Sequence, residues 1–467
     1  MFSRKVFLIL FLLFHIFFFS LALFEYQGNK FYYILFSITS LFYLVYLTDD
    51  NSFFYENFIS VFLYSGIWLN FSIKITFFNS IFPEGVGFFD YKPSSYDEVI
   101  YVCTISFLSI IFASFIRRKI FFKFDNSINK VVLNFSSKKI LFWSILFLLF
   151  TILISILNYK YSIHQRSLTP KIELNFFISN FFKWFLIIGC TTFFAYFINL
   201  LIDSKSKLPK ILILFHIIAE FIINLSMLSR GMIFNSLSIA WGILKKKNYK
   251  NENVFRFIYL ILIFCFFFLS VKIIGDLRIE NKNKLNKYCN TQTIFEVVPK
   301  SSFKNTDVNN KYLKIFLSRL IGIEGVMAVQ SLDNKGFHLI KNALKETTNS
   351  RNEISFFDSL KSDKRCVNEF SKSITLPGII AFLYYSGSLV FVATSLFLIS
   401  ILMCSIEKIM RYLLKEQLLF ISLISQILAY RMWHFGFAPL NSIKLFVAIF
   451  LTIFLVYLIN KFFKIKQ

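Results

Sequence analysis

Arginine side chains are the groups of this sequence best suited to hold an anion. The chain has 12 Arg against 39 Lys, yet Arg stands in three separate short loops between apolar runs, at Arg166, Arg230 and Arg431. The guanidinium group offers a planar fork of donors that matches phosphate and carboxylate, and it stays charged. Four more arginines occupy one long polar stretch: Arg278, Arg319, Arg351 and Arg365. As a set they suit a diphosphate, although each alone could snorkel to lipid phosphates or form a structural ion pair.

The turn Leu228-Ser229-Arg230-Gly231 is the most constrained of these positions, because almost no loop separates two apolar runs there. Arg230 is therefore expected at the membrane surface, where a charge is costly unless it faces a polar cavity or a partner. Gly231 would allow another backbone or a ligand to approach closely. Arg278, four residues past an apolar run, is expected at the same level, with Asp276 available to pair with it. The alternative for Arg230 is a plain turn whose side chain snorkels outward.

Two side chains could accept a proton beside these arginines. His434 follows Arg431 in an aromatic loop and can act as a general base near neutral pH. Its aromatic neighbours fit an interfacial belt or a stacking platform for a sugar ring. His164 and Arg166 form a similar pair in another loop.

Glu324 is the second candidate base. It lies in a segment predicted as one helix, from Lys311 to Asp333, with an apolar stripe at helical spacing. The small residues of that segment, which suit close packing, are Ser318, Gly322 and Gly325. We favour an ion pair between Glu324 and Arg319 over catalysis.

The elements that must position these residues are membrane helices. The chain is 56% hydrophobic with a mean hydropathy of +0.63, and its apolar runs are long enough to span a hydrocarbon core of roughly 30 Å. The predicted class is therefore all-α, a polytopic membrane protein. We predict twelve spans: Val6–Phe24, Phe31–Leu47, Phe53–Phe78, Glu98–Ile116, Ile140–Leu157, Phe176–Ile202, Ile211–Leu228, Met232–Leu244, Val254–Ile274, Leu376–Met403, Gln417–Tyr430 and Ile443–Asn460. The eighth and eleventh are short.

The loops between these spans alternate in charge. Lysine and arginine clusters fall on one side, together with both termini, whereas the other side has short loops with few cations. By the positive-inside rule the cation-rich side is cytoplasmic. The polar stretch Gly275–Thr375 then faces outward. The expected organisation is spans one to nine in 1–274, a partly helical outer cap in 275–375, and spans ten to twelve in 376–467.

Composition also limits the classes of partner that the chain is expected to bind. The net charge of +25 is explained by cations that flank spans, and no RNP signature or zinc-ligand spacing indicates nucleic acid. Four cysteines in apolar runs are expected to be packing residues: Cys103, Cys190, Cys265 and Cys404. Cys289 and Cys366 both lie in the cap, where an oxidising compartment would allow a disulfide.

With these features, the chain resembles the Wzy-type O-antigen polymerases, which join oligosaccharide repeat units of bacterial envelopes. The resemblance is carried by the turn Leu228-Ser229-Arg230-Gly231, by Arg278 directly after a span, and by Arg319-Leu320-Ile321-Gly322 in the cap. After the cap, it is carried by Leu376-Pro377-Gly378-Ile379-Ile380-Ala381 and Tyr384-Tyr385-Ser386-Gly387. The paired Arg-x10-Gly motifs of some members are absent from this chain.

The resemblance implies glycosyl transfer on the periplasmic face of the bacterial inner membrane, without a metal ion or cofactor. The substrate would be an oligosaccharide on undecaprenyl diphosphate, with membrane lipids and a chain-length regulator protein as further partners and no nucleic acid. The base would be His434, or else Glu324. The residues that would bind substrate are Arg230, Arg278, Arg319, Arg431 and Arg166.

Two alternatives remain open. An O-antigen ligase would share the topology and differ in its acceptor. A flippase or transporter of lipid-linked oligosaccharides should show internal repeats and charged residues within spans. The sequence shows no internal repeat, and Lys74 and Lys183 are the charges that we identify within spans.

Overall fold

In the computed structural model of the protein, the regular secondary structure of the described chain is helical. The described residues are 4–49, 51–78, 86–121, 137–165, 171–172, 174–201, 208–229, 231, 233–245, 253–286, 320–346, 356–360, 376–414, 417–436 and 439–463. No strand occurs in these stretches. The all-α class predicted from the apolar runs is therefore confirmed.

The helices are numbered α1 to α16 in chain order. They are α1 Arg4–Glu25, α2 Lys30–Leu47, α3 Phe54–Phe77, α4 Pro93–Ile116, α5 Ser137–Tyr161, α6 Phe176–Leu201, α7 Leu208–Ser226, α8 Ile233–Lys245, α9 Asn253–Asn286, α10 Ile323–Gln330, α11 Phe337–Lys345, α12 Phe356–Leu360, α13 Ile379–Tyr384, α14 Leu389–Leu414, α15 Leu418–Trp433 and α16 Pro439–Phe463. Proline enters three of them only in the first turn, at Pro93, Pro209 and Pro439, where its missing N–H has no helical acceptor to lose.

Nine helical segments of the described chain are long and apolar enough to cross a membrane. Two shorter apolar segments accompany them, Phe11–Glu25 and Leu418–Trp433. The protein is thus a multi-pass membrane protein; the described residues contain nine such long helices, and the twelve spans predicted from the sequence stay a prediction. As expected, α8 and α15 are short, with 13 and 16 residues.

Contacts between distant loops define two ends of the helical bundle. At one end, the backbone N–H of Asn29 donates to Asp97 at 2.9 Å, which joins the loop after α1 to the start of α4. The side chain of Gln330 in α10 donates to Glu98 at the same end, at 2.8 Å. We call this the cap end, because it carries α10 to α12. The loops that the charge pattern assigned to one side of the membrane do meet here.

The opposite end holds a buried ion pair. Arg117, 1% exposed, donates to both carboxylate oxygens of Glu56 at 2.8 and 2.9 Å. Glu56 also accepts the N–H of Phe53 at 2.8 Å. A bidentate pair with further hydrogen bonds offsets the cost of removing both charges from water. This pair therefore joins α3 to α4.

Glu407 is the second buried acid of the opposite end. It lies in α14 and is 0% exposed, and it accepts the first N–H groups of α3, from Phe54 at 2.9 Å and Tyr55 at 2.8 Å. These N–H groups have no partner within their own helix, and they carry the positive end of the helix dipole. The side chains of Arg411 and Ser425 also donate hydrogen bonds to the Glu407 carboxylate, at 2.6 and 3.0 Å. Glu407 thus fixes α14 and α15 to the start of α3.

The cap differs from its prediction in two respects. Helix α9 continues to Asn286, so the first residues of the predicted cap, from Gly275, extend a helix. Of the predicted helix from Lys311 to Asp333, the described part is helical only from Ile323 to Gln330, which is α10, so the predicted bounds were too wide there. Gly322 has φ +147° and ends any helix there. An apolar stripe alone does not reveal such a break.

Candidate functional site

The cap is anchored to α3 through Glu324 and Lys74. Lys74 is 0% exposed and Glu324 6%, and the Lys74 ammonium group donates to Glu324 Oε1. Asn70, one turn before Lys74, donates to Glu324 Oε2 at 3.0 Å and to the Leu320 carbonyl at 2.6 Å. Buried charges are stable only when paired and hydrogen-bonded. The sequence predicted Arg319 as the ion-pair partner of Glu324, but Arg319 lies outside the described residues. The ion-pair partner that the structure shows is Lys74.

The loop before α10 lies directly on a π-helical turn of α3. A Cβ at Gly66 would stand 1.9 Å from the Ile321 carbonyl oxygen, so only glycine permits this approach. The same oxygen accepts Trp433 Nε1 at 2.6 Å, which ties the end of α15 to the cap. On the other side of α10, a Cβ at Gly325 would stand 1.9 Å from the Pro377 carbonyl oxygen. Gly325 thus packs closely, as predicted for this small residue.

Glu98, at the start of α4, holds the far end of the cap. Its Oε1 accepts the Tyr384 hydroxyl, and its Oε2 accepts Gln330 Nε2 at 2.8 Å. Burial, and to a smaller extent the hydrogen bond to Glu98, raises the pKa of Tyr384 well above its usual value. This hydroxyl therefore stays a donor. Lys335 lies 4.0 Å from the same carboxylate. Glu98 therefore connects α10 and α13 to the membrane helices.

The other acidic side chains of this end also stabilise loops. Asp97 accepts the Tyr26 hydroxyl at 2.7 Å, and burial together with this carboxylate raises the pKa of Tyr26. Hydrogen bonds from Ser95 and Lys92 lower the pKa of Asp90 to about 2. Each acid therefore has a local structural partner.

Tyr430, Trp433 and His434 form an aromatic cluster where α15 ends. The His434 ring lies 4.0 Å from the Tyr430 ring and 4.4 Å from the Trp433 ring, measured between centroids. His434 Nδ1 is 3.0 Å from the Tyr430 carbonyl oxygen. Since a carbonyl oxygen only accepts, this geometry assigns the proton to Nδ1 and leaves the lone pair of the neutral ring on Nε2. In this tautomer, Nε2 is the ring nitrogen that can accept a proton, as a general base does.

Gly231 brings the Arg230 turn to this cluster. A Cβ at Gly231 would stand 2.4 Å from the hydroxyl oxygen of Tyr430, so the turn lies against this tyrosine. The guanidinium carbon of Arg431 is 5.9 Å from the centroid of the same ring. Gly231, the residue after Arg230 in sequence, therefore meets Tyr430, which lies 199 residues later in the chain and directly before Arg431.

The loop that holds His164 reaches the same region. Asn158 Nδ2 and Gln165 Nε2 each donate to the Ser226 carbonyl at 3.0 Å. The His164 N–H donates to Asn158 Oδ1 at 2.7 Å. Ser226 ends α7 and leads directly into the Arg230 turn. The loop after α5 is therefore packed beside that turn.

Several predicted site residues are not placed by the structure. Arg278 belongs to the backbone of α9, and its side chain is outside the described part. The predicted residues that lie outside the described stretches altogether are Arg166, Arg230, Arg319, Cys289 and Cys366. Their roles remain predictions.

The cysteines of the helices divide into two groups. Cys103, Cys190 and Cys404 are buried, as expected of packing residues. Cys265 lies on the exposed surface of α9, so the packing role predicted for it was wrong. Apolar surroundings in sequence do not distinguish a helix face that meets other helices from one that meets lipid.

Three buried acids within the candidate spans were not identified from the sequence, where only Lys74 and Lys183 were named as span charges. Glu56 in α3, Glu220 in α7 and Glu407 in α14 are 2%, 1% and 0% exposed. Glu220 stands in a stripe of polar residues four positions apart, with His216 before it and Asn224 after it. That spacing marks one helix face and was the signal available in the sequence.

Chemically, the cap end combines a cation, aromatic faces and a proton acceptor. Arg431 supplies positive charge, Tyr430 and Trp433 supply ring faces, and His434 Nε2 can take a proton. Within the described stretches, no group of three or more His, Cys, Asp and Glu side chains could hold a metal ion.

No protein-family model, curated protein or solved structure matches the chain. The contacts of Gly231 and His434 with Tyr430 are therefore the basis for inferring its function.

Proposed function

We propose that this membrane protein is a glycosyltransferase that polymerises oligosaccharide repeat units carried on undecaprenyl diphosphate. The contact between the Arg230 turn and Tyr430 carries the proposal. It brings a cation-bearing turn beside Arg431 and the His434 ring, from helices distant in sequence. A lipid diphosphate with an attached sugar presents negative charge, a ring face and a hydroxyl at the membrane surface, and these match the three kinds of group in the cluster.

In the proposed reaction, a hydroxyl oxygen of the acceptor repeat unit attacks the anomeric carbon of the donor glycan. The bond from that carbon to the diphosphate breaks, and the diphosphate leaves with the electron pair. His434 Nε2 takes the hydroxyl proton. Arg230 and Arg431 stabilise the charge that develops on the leaving diphosphate. No step requires a metal ion, because arginine supplies the positive charge.

The cap would cover the lipid-linked substrate. Arg278 and Arg319 would approach the diphosphate from α9 and from the segment before α10. The proposal places the cap end in the periplasm and both termini in the cytoplasm, in agreement with the positive-inside pattern. Membrane lipids and a chain-length regulator protein are the further partners that we propose.

Glu324 is less suited than His434 to act as the base. Its carboxylate already accepts from Lys74 and Asn70 and is nearly fully buried. Abstracting a proton would require breaking a buried ion pair, which is costly. The contacts of Glu324 support a role in holding the cap.

A second candidate function is transport of the same lipid-linked oligosaccharide across the membrane. Glu220 favours it, because a buried acid in a membrane-spanning helix is more typical of transporters than of enzymes acting at the surface. An O-antigen ligase remains the nearest enzymatic alternative, since it would use the same donor and the same site.

Deletion of the gene, followed by gel analysis of surface polysaccharide, separates these functions. A polymerase deletion leaves a single repeat unit on the lipid A-core. A ligase or flippase deletion leaves none, and that result would reject the polymerase. Accumulation of the lipid-linked unit on the cytoplasmic face would then indicate the flippase.

Point variants in the deletion strain test the site. We expect Arg230→Ala, Arg278→Ala, Arg319→Ala and His434→Gln each to abolish long-chain glycan at unchanged protein level. Matched controls at the cap end are the exposed Lys92→Gln and His338→Gln, which should keep the normal ladder. Normal ladders in all three arginine variants would reject the assignment of the diphosphate site.

A further inference from the structure

Helix α7 carries a polar face through the interior of the bundle. His216, Glu220 and Asn224 are spaced four residues apart, and they are 0%, 1% and 1% exposed. The helix is one of the nine candidate membrane spans. Its polar face packs against α6 and α8, which contribute Thr191 and Asn235. Polar side chains in a membrane interior are expensive and usually functional.

Glu220 is poorly solvated for a carboxylate. Its Oε1 accepts the Thr191 hydroxyl, and Asn235 Nδ2 donates to that hydroxyl oxygen at 3.2 Å. Its Oε2 is buried and has no hydrogen-bond partner among the described residues. His216 Nε2 is 3.7 Å from Oε1, too far for a hydrogen bond.

His216 is equally poorly placed to be a cation. Its ring is fully buried, and neither ring nitrogen has a hydrogen-bond partner within the described part of the chain. An imidazolium would leave two donors unsatisfied in the membrane interior. An ion pair with Glu220 would therefore consist of two charges, each with almost no hydrogen bonds.

The other buried acids show what a stable carboxylate looks like in this protein. Glu407 accepts hydrogen bonds from two backbone N–H groups and from the side chains of Arg411 and Ser425. Glu324 accepts the Lys74 ammonium group and the Asn70 amide. Both are compensated by a nearby cation that donates directly. Glu220 has no such cation among the described residues that contact it.

We propose that Glu220 is a proton-binding site within the membrane, where its side chain is held as the neutral carboxylic acid beside a neutral His216. The ligand is the proton itself. A neutral acid requires fewer hydrogen bonds than a carboxylate, and the Thr191 hydroxyl donates to Oε1, which serves as its carbonyl oxygen. Among the described residues, the other titratable groups that face Glu220 are the thiol of Cys190 in α6 and the hydroxyl of Tyr259 in α9, and neither is a cation.

This site is connected to the cap end by its own helix. Asn224 lies one turn after Glu220, and its backbone carbonyl accepts the Ser229 N–H at 3.0 Å, in the turn that contains Arg230. The distance along the helix from Glu220 to that turn is about 13 Å. Release of the proton would place a charge on α7 and disturb its packing, so the geometry of the turn would respond to protonation. The inference does not depend on the glycosyltransferase proposal.

Infrared spectroscopy of the full-length protein in lipid membranes tests the site. The carbonyl stretch of a protonated carboxyl group should be present at neutral pH, where an exposed glutamate, with a pKa of about 4.3, has lost its proton. The band should disappear in Glu220→Gln and persist, shifted, in Glu220→Asp. Glu407→Gln is the matched control and should leave the band unchanged. An unchanged band in Glu220→Gln, or no acid band in the wild type, would overturn the proposal.

Stability gives a second measurement. Since glutamine resembles the neutral acid, Glu220→Gln should unfold at the wild-type temperature below a pH of about 4.3, where the unfolded chain also keeps the proton, and at no lower a temperature than the wild type at neutral pH. The folded wild type retains a proton that the unfolded chain releases, so its stability should fall as the pH rises, whereas that of Glu220→Gln should fall less. Strong destabilisation by Glu220→Gln at neutral pH would show that the native group is a carboxylate and would reject the proposal.

Discussion

Lys74 in α3 and Glu324 in α10 form a buried ion pair between residues 250 positions apart in sequence. Lys74 stands near the end of a membrane-spanning helix, and Glu324 belongs to the polar segment that interrupts the spans. The pair therefore determines where the cap lies on the membrane helices. Asn70 reinforces it by binding the Leu320 carbonyl and the Glu324 carboxylate together.

Breaking this pair should destabilise the protein. We expect Lys74→Met to cost about 3–5 kcal/mol, because it leaves the Glu324 carboxylate buried without its cation. The double variant Lys74→Met/Glu324→Leu should recover most of that loss, since no charge stays buried. Thermal unfolding of the purified protein in detergent measures both.

The double variant also separates the two roles considered for Glu324. A stable double variant with long-chain glycan would show that Glu324 only holds the cap. A stable double variant without glycan would make Glu324 a participant in the reaction and would contradict our choice of His434 as the base.

Gly231→Ala should disturb the contact between the Arg230 turn and α15. The new Cβ would lie 2.4 Å from the Tyr430 hydroxyl oxygen, so the turn or the ring must move. Overpacking of this kind costs typically about 1–3 kcal/mol. Combining it with Tyr430→Phe removes the clashing oxygen and should restore stability. A double-mutant cycle measures this coupling, and strictly additive effects would argue against the contact.

Glu407→Gln should weaken the opposite end of the bundle. The amide cannot accept from Phe54, Tyr55, Arg411 and Ser425 as a carboxylate does, and Arg411 loses its counter-charge. We expect a loss of about 2–4 kcal/mol in the free energy of unfolding. Tyr412→Phe, in the same helix and 74% exposed, is the control and should unfold like the wild type. Equal unfolding temperatures for the two variants would contradict the role of Glu407.

Thiol labelling tests the predicted side of the cap and its disulfide together. Cys103, Cys190 and Cys404 are buried and Cys265 lies on an apolar membrane helix, so a membrane-impermeant maleimide should not reach them. If the cap is periplasmic and Cys289 pairs with Cys366, intact spheroplasts should be labelled only after reduction. Labelling without reduction would exclude the disulfide. Absence of labelling after reduction, with labelling after lysis, would reverse the predicted orientation.

Hydropathy and helix-breaking residues were sufficient to predict the helical class and the multi-pass membrane character. Long runs of apolar residues have one low-energy form in a bilayer, because a helix satisfies its own backbone hydrogen bonds. The short lengths of α8 and α15 followed from the same runs. The number of spans stays a prediction, because a short apolar run crosses the membrane or stops within it according to its neighbours.

Several contacts between distant residues were not predicted by local sequence patterns. The sequence indicated that Arg431, His434 and the Arg230 turn could act on one ligand, but only packing brought Gly231 against Tyr430. The partner of Glu324 was assigned to a neighbour in sequence, whereas the structure supplied Lys74 from another helix. Glu220 was overlooked, although its spacing with His216 was visible. Local patterns decide which face a residue occupies, whereas the identity of its partner depends on how distant helices pack.

The sequence by itself determined that the chain is helical and lies in a membrane, because these properties depend on hydropathy and on local backbone preferences. Tertiary structure alone decided that the cap lies on α3 through Lys74, that the cap-end loops meet around Tyr430, and that Glu220 is buried without a cation. The physical reason is that hydrogen bonds, ion pairs and close contacts act over a few ångströms. Their formation depends on segments that are tens or hundreds of residues apart.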